Sequence, residues 1–246
     1  MIAAKSQMEA WVYMSESGVS YRSDVKIASE FLWAGLARAA ASHATGRLVD
    51  LGCGTKPYEK LFLPHVTQYF GVDWEGASGA HYGSATRADY FADCTDTKLE
   101  AESFDTLLST QVMEHIYDTQ AYLRESYRLL KKGGVGIFTV PFVWQTHAEP
   151  YDYYRFTRYS LEKLFEQHGF VVEEIEPLGG AYATLTQAKI TALYCRPSRN
   201  LPYRIFRTIR NAVLIPVMNF MALHLDRMIW NEKLCLNYAV IVRKPG

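Results

Sequence analysis

The sequence predicts an α/β fold built on a doubly wound, mostly parallel sheet, and three observations carry that prediction. Arg47–Leu51 is a short apolar run that breaks into the turn Gly52-Cys53-Gly54, the form of a strand covered on both faces that feeds a loop able to approach a ligand closely. Strand and helix patterns then alternate from 47 to 141, as a parallel sheet with crossover helices requires. Gly52, Asp73, Asp93 and Gln111 all fall at the carboxyl ends of predicted strands, the edge where such sheets hold ligands.

In chain order, residues 1–22 carry Trp11, Tyr13 and Tyr21 without periodicity and read as an irregular arm. Ser23 suits an N-cap for a helix in which Ile27, Phe31, Leu32, Leu36 and Ala40 share a face until Gly46. After the first strand and its turn, Pro57 opens a short helix through Leu63, and Gln68–Asp73 is the second strand. Gly76–Tyr82 is a turn, the third strand ends at Asp93-Cys94, and the fourth spans Ser103–Ser109. A helix through Tyr122, Tyr127, Leu129 and Leu130 is expected to close on Lys131-Lys132-Gly133-Gly134, basic residues and then a glycine cap. Val135–Val140 is the fifth strand, Leu161–His168 a helix, Phe170–Ile175 the sixth strand, and Cys235–Arg243 the seventh.

A chain of 246 residues suits one large domain spanning 1–246, with an N-terminal arm and helix at 1–46 and an insertion at 177–234. Lys plus Arg equals Asp plus Glu at 26 each, so the balance gives no argument for nucleic acid. Cys53, Cys94, Cys195 and Cys235 contain no C-x-x-C pair, which gives neither a zinc spacing nor a disulfide framework; no metal is expected, and the location expected is cytoplasmic. The start MIAAKSQMEA lacks a signal-peptide core, and no apolar run reaches the roughly 18 residues of a membrane span.

The glycine turn narrows the ligand. A dinucleotide fingerprint needs a third glycine where this chain has Pro57, which disfavours a nucleotide-linked oxidoreductase. With Asp50 ahead of it, D-L-G-C-G resembles the first motif of class I S-adenosylmethionine (SAM)-dependent methyltransferases, and SFDTLLSTQVMEHI resembles their motif after strand four. The resemblance covers about 45–176 and the last strand. It implies a seven-stranded sheet with an antiparallel last strand, and SAM as methyl donor. Asp50, Gly52, Cys53 and Gly54 would then line the donor. Asp73, 19 residues beyond Gly54, would accept from ribose hydroxyls or, on the plainer reading, cap a loop. Asp93 and Cys94 would face the adenine, with Asp89 and Asp96 competing for that alignment, and Gln111 would meet the methionine end. Glu114 and His115 are read as starting or bracing a helix.

The loop 141–157 mixes aromatic and ionisable side chains at the ligand edge, and its length favours function over connection. For a hydroxyl acceptor, His147 is the first candidate base and Glu149 or Asp152 the second, with Tyr151, Tyr154 and Arg155 positioning the acceptor. The bland alternative is a latched lid whose charges pair among themselves. Between Pro177 and Leu225 there is no acid but six basic residues, with Arg204, Arg207 and Arg210 on one helical face ahead of the apolar run Ala212–Leu223 and its Pro216 kink. Two readings stay open for 203–230: a domain cover or homodimer contact, and docking on a membrane surface. Together these point to methyl transfer onto a small polar acceptor, such as a hydroxyl of a saccharide or lipid-linked precursor. The competing class is a SAM-binding protein without catalysis whose insertion is an interaction surface.

Overall fold

The computed structural model describes residues 24–75, 86–194 and 206–246. The arm at 1–22, Ser23, Gly76–Tyr82, Cys195, Arg196, Arg199 and Arg204 lie outside them. A helix α1 (Lys26–His43) precedes β1 (Arg47–Leu51), α2 (Glu59–Phe62), β2 (Gln68–Asp73), β3 (Tyr90–Phe91) and β4 (Phe104–Thr110). Next come a 3-10 turn (Met113–His115), α3 (Thr119–Leu129), β5 (Leu130–Pro141), α4 (Arg158–Gln167) and β6 (Val171–Leu178). The helix α5 (Ala181–Tyr194), the long helix α6 (Phe206–Met228) and β7 (Asn237–Arg243) end the chain.

The strands form one seven-stranded sheet in the order β3-β2-β1-β4-β5-β7-β6. β1 pairs in parallel with β2 and β4, and β4 with β5. β7 runs against its neighbours: Lys244 bonds Gly133 and Gly134 at one end of β5 while Val143 bonds Leu236 at the other. The expected doubly wound sheet with an antiparallel last strand is present. The chain forms two compact units, one of Gly35–Phe142, Thr146–Glu176 and Tyr238–Gly246, the other of Met1–Ala34, Val143–Gln145 and Pro177–Asn237.

In the first unit the core lies on both faces of β1, β4 and β5, where Leu48, Val49, Leu107, Leu108, Ile137 and Val140 are fully buried. Two expectations fail there. The Lys-Lys-Gly-Gly stretch does not cap α3; Leu130 is already extended and 131–134 bulge within β5, shifting the register between Phe104 and Thr106. The physical reason lies at Gly134, where a side chain would come 2.9 Å from the Lys131 carbonyl, so the glycines serve the bulge. The helix after the glycine turn begins only at Glu59, since Lys56 takes a left-handed φ of 55°.

In the other unit α5 and α6 lie antiparallel, and buried charges of α6 grip both ends of α5. Asp226, 1% exposed, accepts from the amides of Gly180, Tyr182 and Ala183 at the N-terminus of α5, at 2.6, 3.0 and 3.2 Å. Arg210, 2% exposed, donates to the carbonyl of Leu193 near its C-terminus at 2.7 Å. Each charge meets the helix end of opposite polarity. This corrects the expected basic face, because Arg210 is turned inward. The apolar stretch is also longer than its sequence run suggests: Phe206–Met228 is a 23-residue helix that contains an 18-residue window of mean hydropathy 1.2, long and apolar enough to cross a membrane by length and composition. A π turn at Arg210–Leu214 absorbs the backbone bond that Pro216 cannot make.

Asp226→Ala would leave three amide donors in a buried site. The expected loss is about 1–3 kcal/mol of stability, read from the urea midpoint; an unchanged midpoint would remove the cap from the account of this unit.

Candidate active site

The glycine turn is pinned from below. Gly52 and Gly54 have φ of 75° and 52°, and a side chain on Gly52 would meet Val112 at 2.4 Å, so glycine is required there by packing. Asp73 Oδ2 accepts from the Gly54 amide at 2.8 Å and from Thr86 Oγ1 at 3.1 Å, and its Oδ1 accepts from the Trp74 amide at 2.8 Å. The side chain thus performs the loop-capping role, and only its remaining lone pairs are left for a ribose. Lys56, nearly buried, donates to Asp89 Oδ2 at 2.5 Å, and the same oxygen receives the Gly71 amide at 2.7 Å. Lys56 and Thr86 are structural members of the site that sequence reasoning missed, although a lysine inside a glycine turn was a visible signal; Asp89, which the sequence offered as a competitor for the adenine alignment, is engaged with Lys56 and the Gly71 amide.

Asp50 is 2% exposed; its Oδ2 accepts from the Tyr69 hydroxyl at 2.5 Å, while Oδ1 finds no hydrogen-bond partner among the described residues. Burial pushes this carboxyl up to about 7, against the opposing effect of the Tyr69 bond. The Cys53 thiol is pushed up to about 12 and that of Cys94 higher still, both by burial. Asp93 is exposed and folds onto Thr95, its Oδ1 accepting from the amide and the hydroxyl. Gln111 holds a strained φ of 55° at the end of β4, and its Nε2 donates to Thr139 Oγ1 at 3.2 Å.

Beyond β4 and β5 two loops are laced together. The Glu114 carbonyl accepts from the amides of Tyr153 and Tyr154, and the Tyr154 hydroxyl donates to the Tyr117 carbonyl at 3.0 Å. This brings His147 to the adjacent pair Glu114 and His115. His115 Nε2 lies 3.6 Å and His147 Nε2 3.9 Å from Glu114 Oε1, and the two rings meet edge-on at 4.7 Å. Glu114 is fully buried, and neither carboxylate oxygen has a hydrogen-bond partner among the described residues. Burial raises it to about 8, with Arg155 opposing, and burial holds the His115 imidazole below its ordinary range. Glu114 and His115 therefore do not brace a helix. They occupy a 3-10 turn, and α3 starts later with Asp118 as its cap.

Behind His147 stands a partly buried ion pair. Arg155 binds Asp152 through two bonds of 2.6 and 2.8 Å, and Asp152 Oδ2 also accepts from the His147 amide and lies 3.3 Å from its Nδ1. The Arg155 bonds, with the His147 amide adding to them, hold Asp152 down at about 2. With its oxygens so engaged, Asp152 orients rather than removes protons. Glu149 is exposed on the neighbouring turn, with no hydrogen bond to the cluster. Tyr151 contributes its carbonyl to His115 Nδ1 at 2.7 Å and its ring edge to Trp74.

The buried Asp50 yields a pH test. Its folded pKa is raised above the unfolded carboxylate value of about 3.9, so stability is intact below that value and is lost as pH rises to about 7. Asp50→Asn is expected to flatten this fall in thermal melts of the ligand-free protein between about pH 4 and 7; parallel melting curves for both proteins would contradict the assignment.

A family model described as a methyltransferase domain matches residues 21–175. A probable SAM-dependent methyltransferase of Mycolicibacterium smegmatis is 27% identical over 143 residues, covering 54% of this chain and 56% of the relative. A ubiquinone biosynthesis O-methyltransferase of Ruegeria pomeroyi is 32% identical over 106 residues, covering 37% and 39%. The chain thus spans about half or less of the curated relatives it matches. Among solved structures, phosphoethanolamine N-methyltransferase 2 of Haemonchus contortus in complex with SAM shares the fold, with a TM-score of 0.53 and 18% identity over 86% of this chain and 51% of that one. The family match covers well over half of the sequence and agrees with the glycine turn and strand order, so the chain belongs to the methyltransferase-domain family and is a class I, SAM-dependent member.

Proposed function

We propose that this chain transfers the SAM methyl group to an oxygen of a small polar acceptor held at the Glu114–His115–His147 cluster. The observation that carries this reading is the convergence of two imidazoles and a buried carboxylate at the carboxyl edge of the sheet. The names of the O-methyltransferase relatives support an oxygen acceptor.

The residues present fit SAM. Asp50 keeps a buried oxygen without a protein donor, which suits a ligand bearing a cationic donor of its own. The main chain of Gly52, Cys53 and Gly54, the remaining lone pairs of Asp73, Gln111, and Asp93 with Cys94 would hold the rest. When bound, SAM supplies a methyl group on a positively charged sulfur, so the protein's task is to align the acceptor and exclude water. The Tyr117, Tyr153 and Tyr154 rings pack on one another on the loops that carry the cluster. Asp152 at Nδ1 turns Nε2 of His147 toward the incoming hydroxyl, whose proton must leave as its oxygen bonds to carbon. His147→Ala is expected to keep SAM affinity in calorimetry and to lower turnover of a hydroxyl acceptor by about 10²–10⁴; undiminished turnover would refute the role.

We also propose that the acceptor is met at a membrane surface through α6, the body of the protein remaining cytoplasmic. Its sidedness supports this: Phe206, Ile209, Val213, Val217, Phe220 and Met221 are exposed, while Arg210, Asn219 and Asp226 are buried. An exposed apolar stripe of this length suits the boundary between headgroups and acyl chains, and a lipid-linked saccharide acceptor fits such a location. With Arg210 turned inward, apolar area carries most of the attraction and the exposed Arg207 adds a smaller, salt-sensitive part. The protein should therefore co-sediment with phosphatidylcholine–phosphatidylglycerol vesicles largely independently of salt, and Phe220→Glu with Val217→Glu should abolish it. A parent that ignores vesicles and sediments as a dimer would make this face a contact between copies.

A further inference from the structure

We propose that Glu114, His115 and His147 form a site for one divalent transition-metal ion of the zinc or iron(II) class. Their ligand atoms all lie within 4.8 Å of one another. Donors about 2.1 Å from a tetrahedral ion stand about 3.4 Å apart, and the distances from Glu114 Oε1 to the two Nε2 atoms are 3.6 and 3.9 Å. Small rotations of the two rings would close them around an ion.

The geometry behind each ligand is that of a metal site. His115 Nδ1 meets the Tyr151 carbonyl at 2.7 Å, and His147 Nδ1 lies 3.3 Å from the Asp152 carboxylate, with an Arg155 guanidinium nitrogen at 3.5 Å. At His115 the carbonyl acceptor fixes the proton on Nδ1 and presents the Nε2 lone pair, the arrangement that orients metal-bound histidines; at His147 the Asp152 carboxylate and the Arg155 guanidinium both face Nδ1 and hold the ring in place. Arg155 directs its paired N–H groups onto Asp152, which keeps that carboxylate charged. The third ligand supplies the independent evidence. Glu114 is fully buried with two oxygens that no described group satisfies by a hydrogen bond, and a buried carboxyl group without partners is costly, so it either holds a proton or is paired or bound to a metal. Two imidazoles and one carboxylate leave coordination positions open, where an acceptor oxygen or water could bind. In that state the ion, rather than His147, makes the hydroxyl acidic, and its proton passes to water.

This use of the ion rests on the oxygen-acceptor reading, but the site is tested with neither SAM nor acceptor present, so failure of one is distinguishable from failure of the other. Untagged full-length protein, stripped with chelator, is titrated with Zn²⁺ and with Co²⁺. One ion per chain is expected by calorimetry, with a visible cobalt absorption band and a raised melting temperature. Glu114→Gln, which keeps the shape and removes the carboxylate ligand, should fold, lose at least tenfold in metal affinity and show no melting shift. Asp152→Asn should weaken binding tenfold to a hundredfold. Absence of binding by the folded parent, or equal binding by Glu114→Gln, overturns the site.

Discussion

The three central strands β1, β4 and β5 are buried on both faces, with Val49 paired to Leu107 and Leu107 to Gly136 across the parallel ladder. A sheet in that position cannot place ionisable groups along its faces without heavy desolvation. Its polar chemistry is confined to the strand ends, and because the strands are parallel these ends share one edge. Asp50 and Asp73 stand at the ends of β1 and β2, and Gln111 follows β4. The loops after β4 and β5 are then neighbours by topology, which is why Glu114 and His147 meet. The order of strands decides the composition of the site before any side chain is chosen.

Two carboxylates at this edge lack full protein partners, and they do so differently. Asp50 keeps one oxygen on Tyr69 and leaves one open beside the glycine turn. Glu114 leaves both open, facing imidazole nitrogens. Three other acids of the chain are well satisfied: Asp73, Asp152 and Asp226 each accept at least three hydrogen bonds. At this edge the unmet demand falls on the two positions where a ligand would be bound, the pattern of a site whose stability is completed by what it binds; away from it, Glu30 Oε2 also lacks a hydrogen-bond partner among the described residues.

Most of the scaffold was legible because it is encoded locally. The apolar runs of β1, β2 and β4 announce buried strands, and Gly52 and Gly54 with Asp73 announce the loop and its brace. The Lys131–Gly134 stretch misled because glycines after basic residues serve a helix end and a bulge equally well, and only the β4 partner decides between them. The Glu114–His115–His147 cluster was hidden for a different reason. His147 lies 32 residues beyond His115, and no spacing rule joins two loops whose adjacency depends on strand order. The same holds for Arg210, whose burial is dictated by the end of a helix 17 residues earlier.

The grip of α6 on α5 also acts as a length gauge. Helix α5 has 14 residues, about 21 Å of rise, and the 16 steps from Arg210 to Asp226 span about 24 Å. The two charges reach opposite ends of α5 because these lengths agree. Inserting or deleting a residue in either helix would swing one charge about 100° around its axis and detach it. Substitutions on the outer stripe disturb neither contact. Evolution is thus free to retune the outward apolar surface, and with it whatever that surface meets, while the spacing of the helix pair stays locked.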